Sequence, residues 1–151
     1  MTRTPKIERP HGAFSHRFDM RVRFGDTDAA GIVYYANYYR FFEAGRAELM
    51  REAGLGYVAL TEGDDTVLPV VESWCRNRAP AFYDDLLTVE TWVQEIRSAT
   101  ILVGTMVSRG EEIIAEGGVR LGCMDRQGRP RRLPDGIRAF DWRLPPPTGP
   151  S

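Results

Sequence analysis

The chain has 151 residues, enough for one sizeable core, and an ordinary globular composition of 42% hydrophobic, 11% aromatic and 27% charged residues. A net charge of −1 gives no global field for nucleic acid or an anionic membrane, so neither is expected as a partner. No apolar stretch is long enough to span a bilayer, and the first residues lack a signal-peptide pattern.

Residues 1–16 mix Pro, Arg, Lys and Gly without period and read as a flexible tail, as do the Pro-rich residues 144–151. One domain over 17–143 remains. Phe18 to Phe24 alternates weakly and is the first expected strand. From Tyr35 to Ala53 the period changes: Tyr35, Tyr38, Phe42, Gly45 and Leu49 recur at spacings of three and four, one face of a helix. Asn37 suits its N-cap, Arg51 its last turn and Gly54 its C′ stop. Gly45 costs about 1 kcal/mol against Ala in mid-helix, and close approach to a sheet is the expected reason.

Strands follow. Val67 to Phe82 is one long candidate, bounded by Pro80 and the turn-like "YDD". Leu87 to Gln94 alternates, then Ile101 to Val107, ending at the hairpin signal "SRGEE" with Gly110. In the last run Ile113, Ala115, Gly117, Val119, Leu121 and Cys123 share one face, expected to pack. The other face is expected to be mostly wet. The order β-α-β-β-β-β implies an α+β protein, a curved antiparallel sheet wrapped around one long central helix. Its open edges favour pairing with a second copy.

Cys75 and Cys123 share no ligand spacing with His11 or His16, so zinc is not expected. Two cysteines without a framework fit a reducing cytosol, and a cytoplasmic location is expected.

The densest chemistry lies in "RFGDTDAAGIVYYANYYRFFEAGR", Arg23 to Arg46. Asp28 is too early to cap the helix, but Gly31 permits a reversal that brings it back toward the first helical turn. That turn carries unpaired N–H groups and partial positive charge. A carboxylate beside such donors suits acyl transfer: N–H groups at Tyr35 and Ala36 hold a carbonyl oxygen as it gains charge, and Asp28 acts as nucleophile or as base for a water. The competing reading of Asp26 and Asp28 is turn chemistry, and it is the stronger one for Asp26. The tyrosines of the run carry hydroxyls that need partners if buried, which favours a partly wet cleft.

This stretch resembles the signature of the 4-hydroxybenzoyl-CoA thioesterase family of hotdog-fold proteins, which includes the YbgC-type acyl-CoA thioesterases. The resemblance continues through "VLPVVES" and "APAFYDDLLTVET" to about Met124. It implies a hotdog fold and hydrolysis of an acyl-CoA, or of an acyl carrier protein thioester, to a free acid without a cofactor. Hydroxybenzoyl, branched and short or medium acyl groups are all admitted. The motif's second aspartate, the catalytic carboxylate, falls on Asp28. The helix-start amide that polarises the carbonyl falls on Tyr35. Many YbgC-type relatives have His at that position, whereas the hydroxybenzoyl-CoA branch has Tyr. Arg97 matches a basic position that contacts the nucleotide, though Ser98 and Ala99 replace its basic neighbours. Arg131 and Arg132 lie near another basic position, and a solvated loop is their alternative reading. A homodimer or homotetramer is expected. A non-catalytic hotdog module that binds an acyl thioester or a protein partner is the alternative, weakened by retention of Asp28. A hotdog dehydratase ranks last, because both histidines lie in the N-terminal region.

Overall fold

A computed structural model describes residues 4–56 and 65–145. The central element is α1, Asn37–Glu52, which buries Tyr38, Phe41, Phe42, Gly45, Leu49 and Met50 along one stripe. It starts two residues later than its periodicity suggests. Asn37 is its first residue, not its cap, and Ala36 precedes it in a helical conformation. Tyr35 therefore lies outside the buried stripe, 61% exposed. At the other end Gly54 takes φ +76°, the Gly54 N–H donates to Arg51 and the Leu55 N–H donates to Met50. This left-handed glycine closes the helix as expected.

Five antiparallel strands curve around α1. They are β1 (Ser15–Arg21), β3 (Val70–Asn77), β4 (Leu86–Ile96), β5 (Thr100–Arg109) and β6 (Glu112–Gly122). Their order is β1-β4-β5-β6-β3, so β1 and β3 are the edges. Two-residue strands β2 (Thr66–Val67) and β7 (Met124–Asp125) pair separately. The long strand expected over Val67 to Phe82 is thus divided. Pro69 lacks an N–H to continue the ladder, though its carbonyl still accepts from Gly122, and regular pairing ends at Asn77. A second helix α2, Asp135–Ala139, was not expected. It is a single turn, too short to show periodicity, and its Ile137 is fully buried.

Gly45 meets the sheet closely. A Cβ there would stand 2.2 Å from Thr91 Oγ1 and 3.3 Å from Val89 Cγ1. Gly117 likewise makes room for the Phe42 ring, which would lie 2.7 Å from an added Cβ. The helix therefore rests directly on β4 and β6, and its buried stripe forms most of the core with Leu87, Val89, Val93, Val103, Ala115 and Val119.

The outer face of the sheet corrects one expectation. β6 is buried on both faces, Glu116 and Gly118 included. Trp92, Gly104, Gly118 and Trp74 form one row across β4, β5, β6 and β3. An added Cβ at Gly104 would stand 2.9 Å from the Trp92 indole, and one at Gly118 2.5 Å from that of Trp74. Each indole thus lies over a neighbouring glycine, and Ile7 and Ala13 pack with them. Ser15 and His16, read as tail from sequence, are the first residues of β1 and pair with Trp92 and Thr91. Of the C-terminal tail, residues 146–151 lie outside the described residues, and Leu144 packs against the core. Among the described residues, no helix is long and apolar enough to cross a membrane.

Candidate active site

The segment ahead of α1 folds as a small hairpin. The Asp28 N–H donates to Ile32 O (2.9 Å), the Gly31 N–H donates to Asp28 O (2.9 Å), and Thr27 bridges Val33. Gly31 has φ +83°, which this three-residue loop needs and a side chain would resist. The hairpin docks on the segment before β4: Ile32 bridges Phe82, and the Val33 N–H donates to Ala81 O at 2.8 Å. That segment is clamped in turn. Asp85 accepts from the Phe82 N–H (2.8 Å) and pairs with Arg109 (2.6 Å). Burial opposes the Asp85 charge, but the Phe82 N–H and Arg109 outweigh it and hold its carboxyl below the ordinary value.

The two aspartates differ. The Asp26 carboxylate accepts from the Arg23 N–H (2.8 Å), and its main-chain carbonyl takes both the Tyr34 N–H and Asn37 Nδ2 at 2.9 Å. Asp26 therefore joins the turn to the first residue of α1. Asp28 is exposed, and Oδ1 accepts from the Ala30 N–H at 2.8 Å within its own loop. No other hydrogen-bond partner meets its carboxylate among the described residues. Its charge reaches the Tyr34 phenol, which is held above its ordinary value by the Tyr35 hydroxyl first, then by Tyr35's charge, slight desolvation and Asp28.

The turn leading into α1 leaves two donors open. The N–H groups of Tyr34, Asn37, Tyr38 and Tyr39 all have carbonyl partners, whereas those of Tyr35 and Ala36 meet no acceptor among the described residues. They lie at the positive end of the helix dipole. The Tyr34 and Tyr35 rings meet at a tilt with centroids 4.9 Å apart, and Phe24 meets Tyr83 edge-on at 6.1 Å, so the surroundings are aromatic and open.

The three arginines singled out from sequence lie elsewhere. Arg97 is in the turn between β4 and β5 and pairs with Glu95 at 3.0 Å. Arg131 and Arg132 are exposed in the segment before α2. The Leu133 N–H donates to Ser98 O and the Cys123 N–H to Ala99 O, so backbone bonds hold the two arginine-bearing segments together. Asp28 and Tyr35 belong to the other end. β4 begins beside the Phe82–Asp85 turn and ends beside Arg97, and its 11 residues span roughly 33 Å. One chain does not bring the two sets together. Sequence reading also passed over Arg109, which fixes the hairpin's docking site from β5, and Arg46, which no expectation singled out. Among the described residues, no group of three or more His, Cys, Asp or Glu is placed to hold a metal.

One long helix cradled in a curved antiparallel sheet is the hotdog fold, here with an exposed carboxylate hairpin ahead of the helix. The sequence profile of the thioesterase-like superfamily matches residues 22–140, and the chain belongs to that family, a family of thioester hydrolases. The chain is 34% identical to the acyl-CoA thioesterase YbgC of Haemophilus influenzae over 81% of its own length and 90% of that protein. It is 33% identical to a 4-hydroxybenzoyl-CoA thioesterase from a Pseudomonas species, covering 64% of this chain and 70% of that one. Among solved structures, a probable thioesterase from Bartonella henselae superposes with a TM-score of 0.73 at 33% identity, over 80% of this chain and 99% of the other.

Proposed function

We propose that the protein hydrolyses acyl-CoA thioesters to a free acid and CoA, with Asp28 as nucleophile or general base. The observation that carries this reading is the pair of open N–H donors at Tyr35 and Ala36, just after a hairpin that presents an exposed carboxylate. As nucleophile, a carboxylate oxygen adds to the thioester carbon, the carbonyl oxygen takes up charge at the two N–H groups, and CoA leaves as thiolate. Water then cleaves the mixed anhydride and its proton balances the thiolate. As base, Asp28 takes the proton of the attacking water and returns it to the leaving sulfur. Both routes use the same donors, which are fixed before the charge develops.

Arg97, Arg131 and Arg132 bind the phosphates of CoA in this reading, and they do so for a partner's centre. β3 is an exposed edge strand. Pairing two copies of β3 antiparallel about a two-fold axis sets the Val70 end of one chain beside the Asn77 end of the other. The first end carries the arginines and the second carries Asp28. A homodimer is thus the minimal active unit, and a homotetramer is a pair of such dimers. Asp28 is not opposed by a buried partner, which supports a catalytic over a purely binding role. Cys75 and Cys123, neither of them in a disulfide, support a cytoplasmic setting.

The test is free-thiol release from a panel of hydroxybenzoyl, benzoyl, short and medium acyl-CoAs and one acyl carrier protein thioester. Turnover of an acyl-CoA is expected. Hydrolysis of none would overturn the reading.

A further inference from the structure

Beside the C-terminal half of α1, a cavity of about 290 Å³ opens between the helix, the start of β3 and α2. One wall is the helix face bearing Glu43, Arg46 and Met50, and the apolar side includes Leu68, Ile101 and Ile137. Arg46 is half-buried and has neither a hydrogen-bond acceptor nor an ion-pair partner among the described residues. Its neighbour Arg51, by contrast, pairs with Glu48. Burial pulls the Arg46 guanidinium below its ordinary value, and the nearby charge of Glu43 offsets this only in part. A desolvated guanidinium without an acceptor among the described residues is unfavourable unless a further group completes it. The planar fork matches a carboxylate, while the apolar far side matches a hydrocarbon and not a phosphate. The volume is at the small end of ligand sites, which run from about 300 to 1,000 Å³.

We infer that this cavity binds a small apolar carboxylic acid, its carboxylate on Arg46 and its hydrocarbon against Leu68, Ile101 and Ile137. The source of the acid rests on the reading above, since thioester hydrolysis releases this class of molecule. In the two-fold pairing described there, the cavity beside Val70 lies toward the partner's catalytic end. The site is then one where product acid is held after release of CoA.

Calorimetric titration of the full chain at pH 7 with octanoate, benzoate and octan-1-ol tests this. The acids are expected to bind and the alcohol to bind at least tenfold more weakly. Arg46→Gln should weaken the acids by about tenfold or more, the loss of a charge-assisted pair. Leu68→Trp, which fills the apolar end and keeps the charge, should also abolish octanoate binding, so the test survives if one variant folds poorly. Octanol binding as tightly as octanoate, or unchanged octanoate affinity in a folded variant of either kind, overturns the proposal. Acyl-CoA hydrolysis without acid binding removes this site alone, and acid binding without hydrolysis removes the assigned activity alone.

Discussion

Asp85 Oδ2 lies 2.6 Å from Arg109 Nη1, and this pair holds the segment on which the Asp28 hairpin docks. Arg109 Nη1 also donates to Pro80 O at 3.2 Å, so one guanidinium ties both ends of the 80–85 turn to β5. Asp84 within that turn has φ +71°, a conformation a bare loop resists without such ties. Asp85→Ala should lower unfolding free energy by about 1–2 kcal/mol, the range for a partly exposed charged hydrogen-bond network. It should also reduce kcat, because the hairpin loses its floor at Ala81 and Phe82. Denaturant titration and steady-state kinetics of the same variant check both. Lost stability with unchanged kcat would mean the hairpin holds its geometry without the clamp.

Acid should weaken this clamp and, at the other end of the sheet, the turn after β7. Asp85 has a depressed carboxyl in the folded chain, and so does Asp125, through the Arg129 N–H first and then its side chain and the Gln127 N–H, against opposing desolvation. A folded pKa below the unfolded one stabilises above the unfolded value, near 4. That contribution is lost as pH falls through the folded pKa. Melting temperature should therefore be flat across neutral pH and fall below about pH 4, with Asp85→Asn showing a shallower fall than wild type.

Gly45 offers a test with the opposite sign to helix propensity. An exposed mid-helix Gly→Ala gains about 1 kcal/mol. Here the new Cβ meets Thr91 Oγ1 at 2.2 Å, and Thr91 is fully buried with Thr105 beside it at 3.4 Å. Gly45→Ala should therefore destabilise by about 1–3 kcal/mol, the cost of overpacking. Adding Thr91→Ala should restore part of that loss, because the clashing hydroxyl is gone. A stabilised Gly45→Ala chain would mean that α1 lifts off β4 at little cost.

The central layer was legible because its signals are local and periodic. The stripe of Tyr38, Phe42, Gly45 and Leu49, the glycine stop at Gly54 and the alternation of β6 each reflect short-range geometry. Asp26 was read as a turn residue because an Asp that accepts from a nearby N–H needs only its own loop. What escaped depends on distant partners. Gly118 and Gly122 looked like a solvated face until Trp74, Val71 and the N-terminal segment were placed over them. Arg109 is 24 residues from Asp85, and nothing in its own strand marks it as the clamp. The separation of Asp28 from Arg97, Arg131 and Arg132 follows from strand length and order, which spacing along the chain does not reveal.

The two aspartates should separate chemistry from folding. Asp28→Asn keeps the size of the side chain and the acceptor for the Ala30 N–H, but supplies neither nucleophile nor base. Its kcat should fall by at least about 10²-fold, while binding of an uncleaved acyl-CoA analogue stays close to wild type. Asp26→Asn should lower stability more than turnover, since its carboxylate serves the Arg23 N–H and its carbonyl is unchanged. If Asp26→Asn is dead and Asp28→Asn active, the roles are reversed.

The arginine end tests the nucleotide contact and the two-chain site together. If the CoA phosphates rest on Arg97, Arg131 and Arg132, neutralising Arg97 or Arg132 should raise KM, roughly fivefold each, with little change in kcat. The phosphates are remote from the reacting carbon and keep their charge throughout, so the contact is nearly equal in ground and transition states. Exposed contacts of this kind should also weaken as salt rises. The comparison pairs an acyl-CoA with the same acyl group on a short pantetheine thiol. Removing the nucleotide should cost the wild type much more than Arg97→Ala or Arg132→Ala. Because these arginines sit roughly 33 Å along the sheet from Asp28 in one chain, mixing inactive Asp28→Asn chains with Arg97→Ala/Arg132→Ala chains adds a second readout. In a mixed dimer, the intact Asp28 comes from the arginine-depleted chain, and the intact arginines come from its partner. That site should regain the low KM of wild type if the partner supplies the arginines. Equal nucleotide losses in wild type and variants would mean that these arginines do not read the phosphates. Failure of the mixture to lower KM would mean that each chain serves its own centre.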